Sequence, residues 1–156
     1  MKKRPFQLPP RQKRWLYVVA IFLFLSGVLW WLADLVSTQG WPGTESARAT
    51  KPWLLKIHGA AAMASMFAVG TLWPGHIRRA WQAGQNRRSG ATLLAWLAML
   101  TVSGYGLYYF GDERVREWTA KTHDVLGLSA VAVLAAHVWI GHRSMRRAAD
   151  AGRSRL

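Results

Sequence analysis

Half of this 156-residue chain is hydrophobic, yet its formal net charge is +14, so the apolar and basic residues occupy separate segments. The absence of cysteine excludes disulfides, iron–sulfur clusters, thiolate metal sites and covalent haem attachment through C-x-x-C-H. A soluble nucleic-acid-binding protein is disfavoured, because the Lys and Arg residues lie between long apolar segments and do not form one folded basic surface.

Four apolar segments have the length needed to cross a bilayer. In chain order they are residues 15–36, 53–76, 91–110 and 118–140. A hydrocarbon core of about 30 Å requires ~20 helical residues, and backbone groups in lipid must be hydrogen-bonded within their own segment. The sequence therefore predicts an all-α fold, a transmembrane four-helix bundle whose first helix is not cleaved as a signal peptide.

The distribution of charge predicts the orientation of these helices. Basic loops remain in the cytoplasm, so both termini are expected there, against anionic lipid headgroups. The predicted outer side carries as many acidic as basic residues, and most of the ten tryptophans lie near the two membrane boundaries. The cytoplasmic basic residues are Lys2, Lys3, Arg4, Arg11, Lys13 and Arg14 before the first helix, Arg78, Arg79, Arg87 and Arg88 in the second loop, and Arg143, Arg146, Arg147, Arg153 and Arg155 after the last helix.

Short motifs recur in the two halves of the chain, which indicates two helical hairpins built on one plan. A Ser-Gly pair followed by two aromatic residues occurs in the first and third helices. A Lys-x-His motif opens the second and fourth helices, and each of these helices ends in a Trp and a Gly-His pair. The motifs are Ser26-Gly27 and Ser103-Gly104, Lys56-Ile57-His58 and Lys121-Thr122-His123, and Trp73-Pro74-Gly75-His76 and Trp139-Ile140-Gly141-His142.

All five histidines, His58, His76, His123, His137 and His142, fall on the second and fourth predicted helices. Ionisable residues within membrane helices are costly and usually face the interior of the protein. A position at the lipid interface is the alternative. It fits His142 best, beside Arg143, and His137 worst, since that residue lies about two turns inside an apolar run.

Helical spacing groups the histidines into two pairs. His123 and His137 are 14 residues apart, which returns to within about 40° of one face over about 21 Å. His58 and His76 are 18 residues apart, five turns, over about 27 Å. Because the second and fourth helices run in the same direction, we expect His58 to face His123 near the outer surface and His76 to face His137 near the inner one. Two facing neutral imidazoles suit the axial positions of a haem iron.

The two spacings differ by about 6 Å, more than one turn of helix. Helix tilt or a local break at Pro74-Gly75 can absorb this difference. The alternative inner ligand is His142, whose 19-residue spacing from His123 matches the length but whose phase is about 100° away. We prefer His137.

Small and charged residues accompany the histidines, and each group has two interpretations. The small residues leave room for a flat macrocycle, or they let membrane helices pack closely with no cofactor. The charged residues attract an anionic reactant or pair with haem propionates, or they are ordinary interfacial side chains. The small residues are Gly59, Ala61, Ala62, Ser65, Gly127 and Ala130, and the charged ones are Lys56, Lys121 and Asp124.

Four helices with a His-x13-His pair on the last one resemble the bacterial membrane di-haem b-type cytochromes. This group includes the cytochrome b subunits of formate dehydrogenases and hydrogenases and the four-helix superoxide oxidase. The resemblance implies that His123 and His137 each bind one haem b and that His58 is the second outer ligand. The dehydrogenase-type subunits draw the fourth ligand from the first helix. That helix has no histidine here, so His76 is expected to replace it.

The resemblance further implies an inner-membrane protein that carries electrons between a quinone pool and a periplasmic partner or oxidant. Residues 15–142 would form the haem-binding domain, flanked by basic cytoplasmic tails at 1–14 and 143–156. Two other classes remain open. One is a non-redox membrane anchor or scaffold with structural histidines. The other is a metal-ion transporter, which is disfavoured because the first and third helices supply no polar pathway. Neither a P-loop nor a nucleophile elbow is present.

Overall fold

The computed structural model describes residues 8–153, apart from the side chains at 148, 149, 151 and 152, and this part of the chain is helical with short connections and no strand. The prediction of an all-α fold is therefore confirmed. The elements are α1 (Pro10–Gln39), α2 (Thr44–Leu72), a π-helical turn (Trp73–Ile77), α3 (Arg78–Gln82), α4 (Arg87–Tyr109) and α5 (Glu113–Arg153).

Four helical stretches are long and apolar enough to cross a membrane: Pro10–Gln39, Thr44–Gln82, Arg87–Tyr109 and Glu113–Arg147. Their large apolar side chains are mostly exposed, with Phe67 70% and Val102 69% accessible. A water-soluble fold would bury such side chains, because exposing them to water is costly. The chain is therefore a multi-pass membrane protein.

The helices extend beyond the predicted apolar segments. The second helix begins at Thr44, so that Pro52 lies inside it, and the last helix runs from Glu113 to Arg153. Hydropathy detects the part of a helix that lipid surrounds, whereas the helix itself continues into its polar ends. Residues 10–14 and 143–153, predicted as parts of the basic tails, belong to α1 and α5.

The chain divides into two compact units, Met1–His76 and Ile77–Leu156. In the first unit α1 and α2 form a helical hairpin, whose connection uses Gly40 (φ 66°) and Gly43 (φ 92°) in the left-handed region that favours glycine. Near this connection Lys51 of α2 forms an ion pair with Asp34 of α1 and donates to the Ser37 hydroxyl. Polar side chains of the first hairpin are thus paired at the predicted outer end of its helices.

In the second unit α4 and α5 form the other hairpin. Asn86, in the left-handed region at φ 50°, precedes α4 and donates from Nδ2 to Ser144 Oγ of α5 at 3.1 Å. Trp96, in the middle of α4, donates from Nε1 to the Leu126 carbonyl of α5 at 3.0 Å. This bond provides a partner for an indole N–H far from the membrane boundaries, where an unsatisfied donor is costly. It therefore accounts for the position of Trp96, which lies outside the aromatic belts at the two membrane boundaries.

The π-helical turn coincides with Trp73-Pro74-Gly75-His76. Proline has no backbone N–H and its ring clashes with the carbonyl four residues earlier, so a regular α-helix cannot continue through it without distortion. A local irregularity at Pro74-Gly75 was one of the two expected ways to absorb the mismatch in histidine spacing. Because His76 lies within this turn, its phase relative to His58 is not the one that 3.6 residues per turn gives.

Replacing Trp96 with Phe should destabilise the second hairpin, because the hydrogen bond to the Leu126 carbonyl is lost while most of the ring remains. Trp15→Phe, at a ring that is 42% exposed, is the matched control. We expect Trp96→Phe to lower the free energy of unfolding by about 0.5–1.5 kcal/mol relative to the control. Denaturation in mixed detergent micelles measures this difference, and equal stability of the two variants would contradict the assignment.

Candidate functional site

His58 on α2 is held against α1 by a buried serine. The Nδ1 atom of His58 lies 3.0 Å from the Ser26 hydroxyl, and Ser26 is 3% exposed. The same hydroxyl donates to the carbonyl of Leu23 in its own helix at 2.9 Å. The imidazole is half-buried. The first hairpin therefore fixes this ring by a contact between its two helices.

The glycine after this serine provides the space for the ring. A Cβ atom on Gly27 would lie 2.9 Å from Cε1 and 3.3 Å from Nδ1 of His58. The first distance is shorter than real Cβ contacts, so any larger residue would displace the imidazole. Ser26 and Gly27 thus act together, one as the polar partner of the ring and the other as the surface against which it lies.

The second hairpin repeats this arrangement at His123. The Nδ1 atom of His123 on α5 lies 2.9 Å from the Ser103 hydroxyl on α4, and that hydroxyl donates to the Leu100 carbonyl at 3.1 Å. A Cβ on Gly104 would lie 3.2 Å from His123 Cε1. The short repeat in the sequence therefore corresponds to one structural unit that occurs in both hairpins.

A third example occurs at His137. Its Nδ1 atom lies 3.3 Å from the Ser89 hydroxyl, which donates to the Asn86 carbonyl at 3.1 Å. A Cβ on Gly90 would lie 3.9 Å from His137 Cε1, an ordinary contact. The two Ser-Gly pairs of α4 are 14 residues apart, as are the two histidines of α5. Equal spacing on two neighbouring helices brings each histidine to its own serine.

The direction of each serine–histidine contact depends on which ring nitrogen carries the proton. A serine hydroxyl has one proton and two acceptor lone pairs. If that proton goes to the backbone carbonyl, the hydroxyl can only accept from the imidazole. Both contacts are then hydrogen bonds when Nδ1 carries the hydrogen of the neutral ring. In this tautomer Nε2 holds the lone pair that can bind a metal.

The remaining two histidines differ from these three. His76 lies in the π-helical turn, half-buried, with its Nδ1 atom inaccessible to solvent. His142 is exposed, as the interfacial interpretation predicts for it. The predicted pairs, His58 with His123 and His76 with His137, each join residues of different hairpins. Both pairings stay predictions.

The lysines beside the outer histidines lie over tryptophan rings. The Lys56 ammonium is 4.6 Å from the Trp53 ring centroid, and the Lys121 ammonium is 5.2 Å from that of Trp118. Lys121 also forms an exposed ion pair with Glu117 at 2.6 Å. These contacts fit the interfacial interpretation of the two lysines. They also lengthen the repeat to Trp-x2-Lys-x-His in both hairpins.

The small residues near the histidines are buried or half-buried, which fits both space for a macrocycle and close packing of the helices. Ala61 is 3% exposed, so that it is closely packed. The others, Gly59, Ala62, Ser65, Gly127 and Ala130, are half-buried. Their burial does not separate space for a macrocycle from close helix packing.

Sequence reasoning did not identify the serines as partners of the histidines. It used Ser26-Gly27 and Ser103-Gly104 only as evidence for a repeat, and it did not use Ser89-Gly90. The signal that was available is the 14-residue spacing of the two Ser-Gly pairs, which equals the spacing of His123 and His137. Because the two helices of a hairpin run antiparallel, this equal spacing allows both serine–histidine contacts in a single register of the helices.

Within residues 8–153, no three or more His, Cys, Asp or Glu side chains are grouped so that they could hold a metal ion. A haem iron needs only two axial ligands from the protein. The chain matches no protein-family model, no curated protein and no solved structure.

Replacing Gly27 with Ala should displace the His58 ring, because the new Cβ would lie within 2.9 Å of Cε1. Gly70→Ala, on α2, is the control, since a Cβ there meets no atom within 4 Å. Both changes gain the same helix propensity. We therefore expect Gly27→Ala to be the less stable by about 1–3 kcal/mol, measured by denaturation in mixed micelles. Equal stability would show that the ring is not packed on Gly27.

Proposed function

We propose that the protein is a b-type cytochrome that carries electrons through the membrane between a quinone pool and a periplasmic partner or oxidant. One observation carries the proposal: each hairpin holds a half-buried histidine whose Nδ1 lies 3.0 or 2.9 Å from a serine hydroxyl of the neighbouring helix. In the tautomer that carries its hydrogen on Nδ1, Nε2 would be the ring nitrogen that binds iron. Histidines that bind metals almost always donate their other ring N–H to a neighbouring acceptor. Haem b, when bound, would supply one-electron redox chemistry that no side chain of this chain provides.

The outer haem would be held by His58 and His123. Both rings are half-buried within apolar helices, so neutral imidazoles would be the ligands. Lys56 and Lys121 stand two residues before these ligands, where an ammonium group favours an anionic reactant or a propionate. In this proposal the residues of the chain bind and orient the cofactor, and the low polarity around them sets the potential.

The inner haem would be held by His76 and His137. Two observations favour His137 over His142 as its ligand from α5. His137 is half-buried and bonded to Ser89, as the outer histidines are bonded to their serines. His142 is exposed and adjoins Arg143, which stands over the Trp139 ring at 5.2 Å. A ring exposed beside a cation fits the interface better than an iron site.

The proposed location is the bacterial inner membrane, with both termini in the cytoplasm. Cations stand over aromatic rings at the predicted inner ends of the helices, among them Arg143 over Trp139 and Arg87 over Trp81, at 5.2 and 5.8 Å. Basic side chains at that boundary interact with anionic lipid headgroups. A quinone or quinol is the proposed partner within the membrane, and a redox protein, subunit or oxidant is the proposed partner at the periplasmic face.

A second candidate is a non-redox membrane anchor in which the histidines are structural. The same hydrogen bonds favour it, because a serine–histidine bond between two membrane helices stabilises their association without any cofactor. The two functions differ in what Nε2 binds, so a test for haem separates them.

The absorption spectrum of the detergent-purified full-length protein, oxidised and then reduced with dithionite, tests the proposal. We expect a Soret band and α/β bands of reduced haem b, and a pyridine haemochrome content of two per chain. Featureless spectra after haem-replete expression would exclude the cytochrome and favour the anchor. A content of one haem per chain would confine the site to His58 and His123.

Single histidine variants identify the ligands. His58→Ala and His123→Ala should each remove the same single haem, and His137→Ala the other one. His142→Ala is the matched control and should retain both. The opposite result for the last two variants would assign the inner ligand to His142. Circular dichroism of each variant verifies that the helices are intact.

The orientation can be measured because the chain has no cysteine. Gln85→Cys, in the loop before α4, and Gly111→Cys, in the loop after it, are both at exposed positions. A membrane-impermeant maleimide added to intact spheroplasts should label only Gly111→Cys, and Gln85→Cys should become reactive after lysis. The reverse pattern would overturn the proposed topology.

A further inference from the structure

We propose that Ser26, Ser103 and Ser89 are positioning residues, each of which accepts the Nδ1–H of one histidine and so presents Nε2 to iron. The inference rests on the haem-binding function proposed above. It extends that function by assigning a role to side chains that act through the ligands, and it names the ring nitrogen that each ligand uses.

The contact between a serine hydroxyl and a histidine Nδ1 occurs three times with the same residue types. In all three cases the serine hydroxyl donates to the carbonyl three residues earlier and contacts an Nδ1 atom of the next helix. In all three cases the residue after the serine is glycine, and the atom nearest to a Cβ added there is Cε1 of the histidine. A single serine–histidine bond would be ordinary helix packing. Three with the same partners indicate a common requirement on the histidine.

Two contacts constrain each ring, one with the serine hydroxyl and one with the glycine that follows it. The serine fixes the direction of Nδ1, and the glycine lets the Cε1 edge lie close to the backbone of the neighbouring helix. At Gly27 and Gly104 the distance from an added Cβ to Cε1 is only 2.9 and 3.2 Å. A flip of the ring would place Cδ2 at the serine hydroxyl and lose the hydrogen bond. The position of Nε2 is thereby determined before a ligand binds, which reduces the cost of ordering on binding.

The serine also affects the electron density of the ring. An acceptor on Nδ1–H makes an imidazole a stronger donor through Nε2, and loss of such a partner typically weakens metal binding 10–100-fold. A stronger donor stabilises ferric over ferrous iron and lowers the reduction potential. Removing the serine hydroxyl should therefore weaken haem binding and raise the potential of that haem.

The three contacts are not equal. The nitrogen–oxygen distances are 3.0 Å at Ser26, 2.9 Å at Ser103 and 3.3 Å at Ser89. A hydrogen bond of 3.3 Å lies beyond the usual range for this pair and is weaker. The serine at His137 should accordingly contribute less than the two at the outer histidines.

The test uses the haem-loaded full-length protein in detergent. Haem affinity is measured by transfer to excess apomyoglobin, and the midpoint potential by redox titration. We expect Ser26→Ala and Ser103→Ala each to weaken binding of one haem about 10–100-fold and to raise its potential. Ser89→Ala should have a smaller effect, on the other haem. Affinities and potentials that are unchanged in both Ser26→Ala and Ser103→Ala would overturn the inference.

Two further variants on α4 control for loss of folding. Thr101→Val removes a hydroxyl that is exposed and donates to the Leu97 carbonyl, so it should leave affinity and potential unchanged. Ser103→Thr keeps the hydroxyl and should retain most of the affinity. If Ser103→Ala and Thr101→Val lose haem equally, the serine has no specific role.

A readout independent of haem separates this inference from the proposed function. Nitrogen-15 NMR of histidine-labelled full-length protein distinguishes the two neutral tautomers. We expect Nδ1–H at His58 and His123 in the wild type, and a mixture at His123 in Ser103→Ala. If the wild type holds no haem but shows Nδ1–H, the cytochrome proposal fails and the serine contact stands. Nε2–H in the wild type would overturn the inference even in a protein that binds haem.

Discussion

A hydrogen bond between a serine hydroxyl on one helix and an imidazole on the next organises the chemistry of both hairpins. Ser26 with His58 and Ser103 with His123 form the same contact, at 3.0 and 2.9 Å. Each serine hydroxyl also lies within hydrogen-bond distance of a carbonyl three residues earlier, so both bonds form when the imidazole carries its proton on Nδ1. In an apolar environment both groups need partners, since an unsatisfied polar group there costs several kcal/mol. The proposed haem binding depends on the ring orientation that results.

The burial and the polar contacts of the other described residues are consistent with this arrangement. The large apolar side chains are mostly exposed, as lipid allows, while Ser26, Ser37, Ala61, Ala68 and Leu126 are buried. Trp96 is bonded to a backbone carbonyl in the middle of α4, and Lys51 pairs with Asp34 near the outer end of the first hairpin. Gly27 and Gly104 stand where a histidine ring of the neighbouring helix lies closest. Each hairpin thus combines an apolar exterior with a small set of fixed polar contacts.

The sequence predicted the helices well because lipid solvation depends on length and composition, which are local properties. The helix bounds were less accurate: α2 begins at Thr44 and α5 reaches Arg153, since polar helix ends carry no hydropathy signal. The π-helical turn at Pro74 was foreseen only as one of two ways to absorb a mismatch. The serine partners were missed, although Ser26 and Ser103 had been singled out. The spacing of residues predicts which face of a helix each one occupies. A contact between two helices also depends on their register, which hydropathy does not specify.

The proposed cytochrome depends on the serine–histidine contact within each hairpin and on one prediction, that His58 and His123 bind the same iron. A structural anchor would use the same serine–histidine bonds to hold its helices together, and the two functions therefore differ only at Nε2. The inner pair differs from the outer one, because His76 lies in an irregular turn and the Ser89 contact of His137 is longer, at 3.3 Å.

An experimental structure of the haem-replete protein would test the central claim most directly. It should contain an iron atom bound by Nε2 of both His58 and His123, with each Nδ1 atom still within hydrogen-bond distance of its serine. Iron bound through Nδ1, or the two rings directed into lipid with no iron between them, would contradict it.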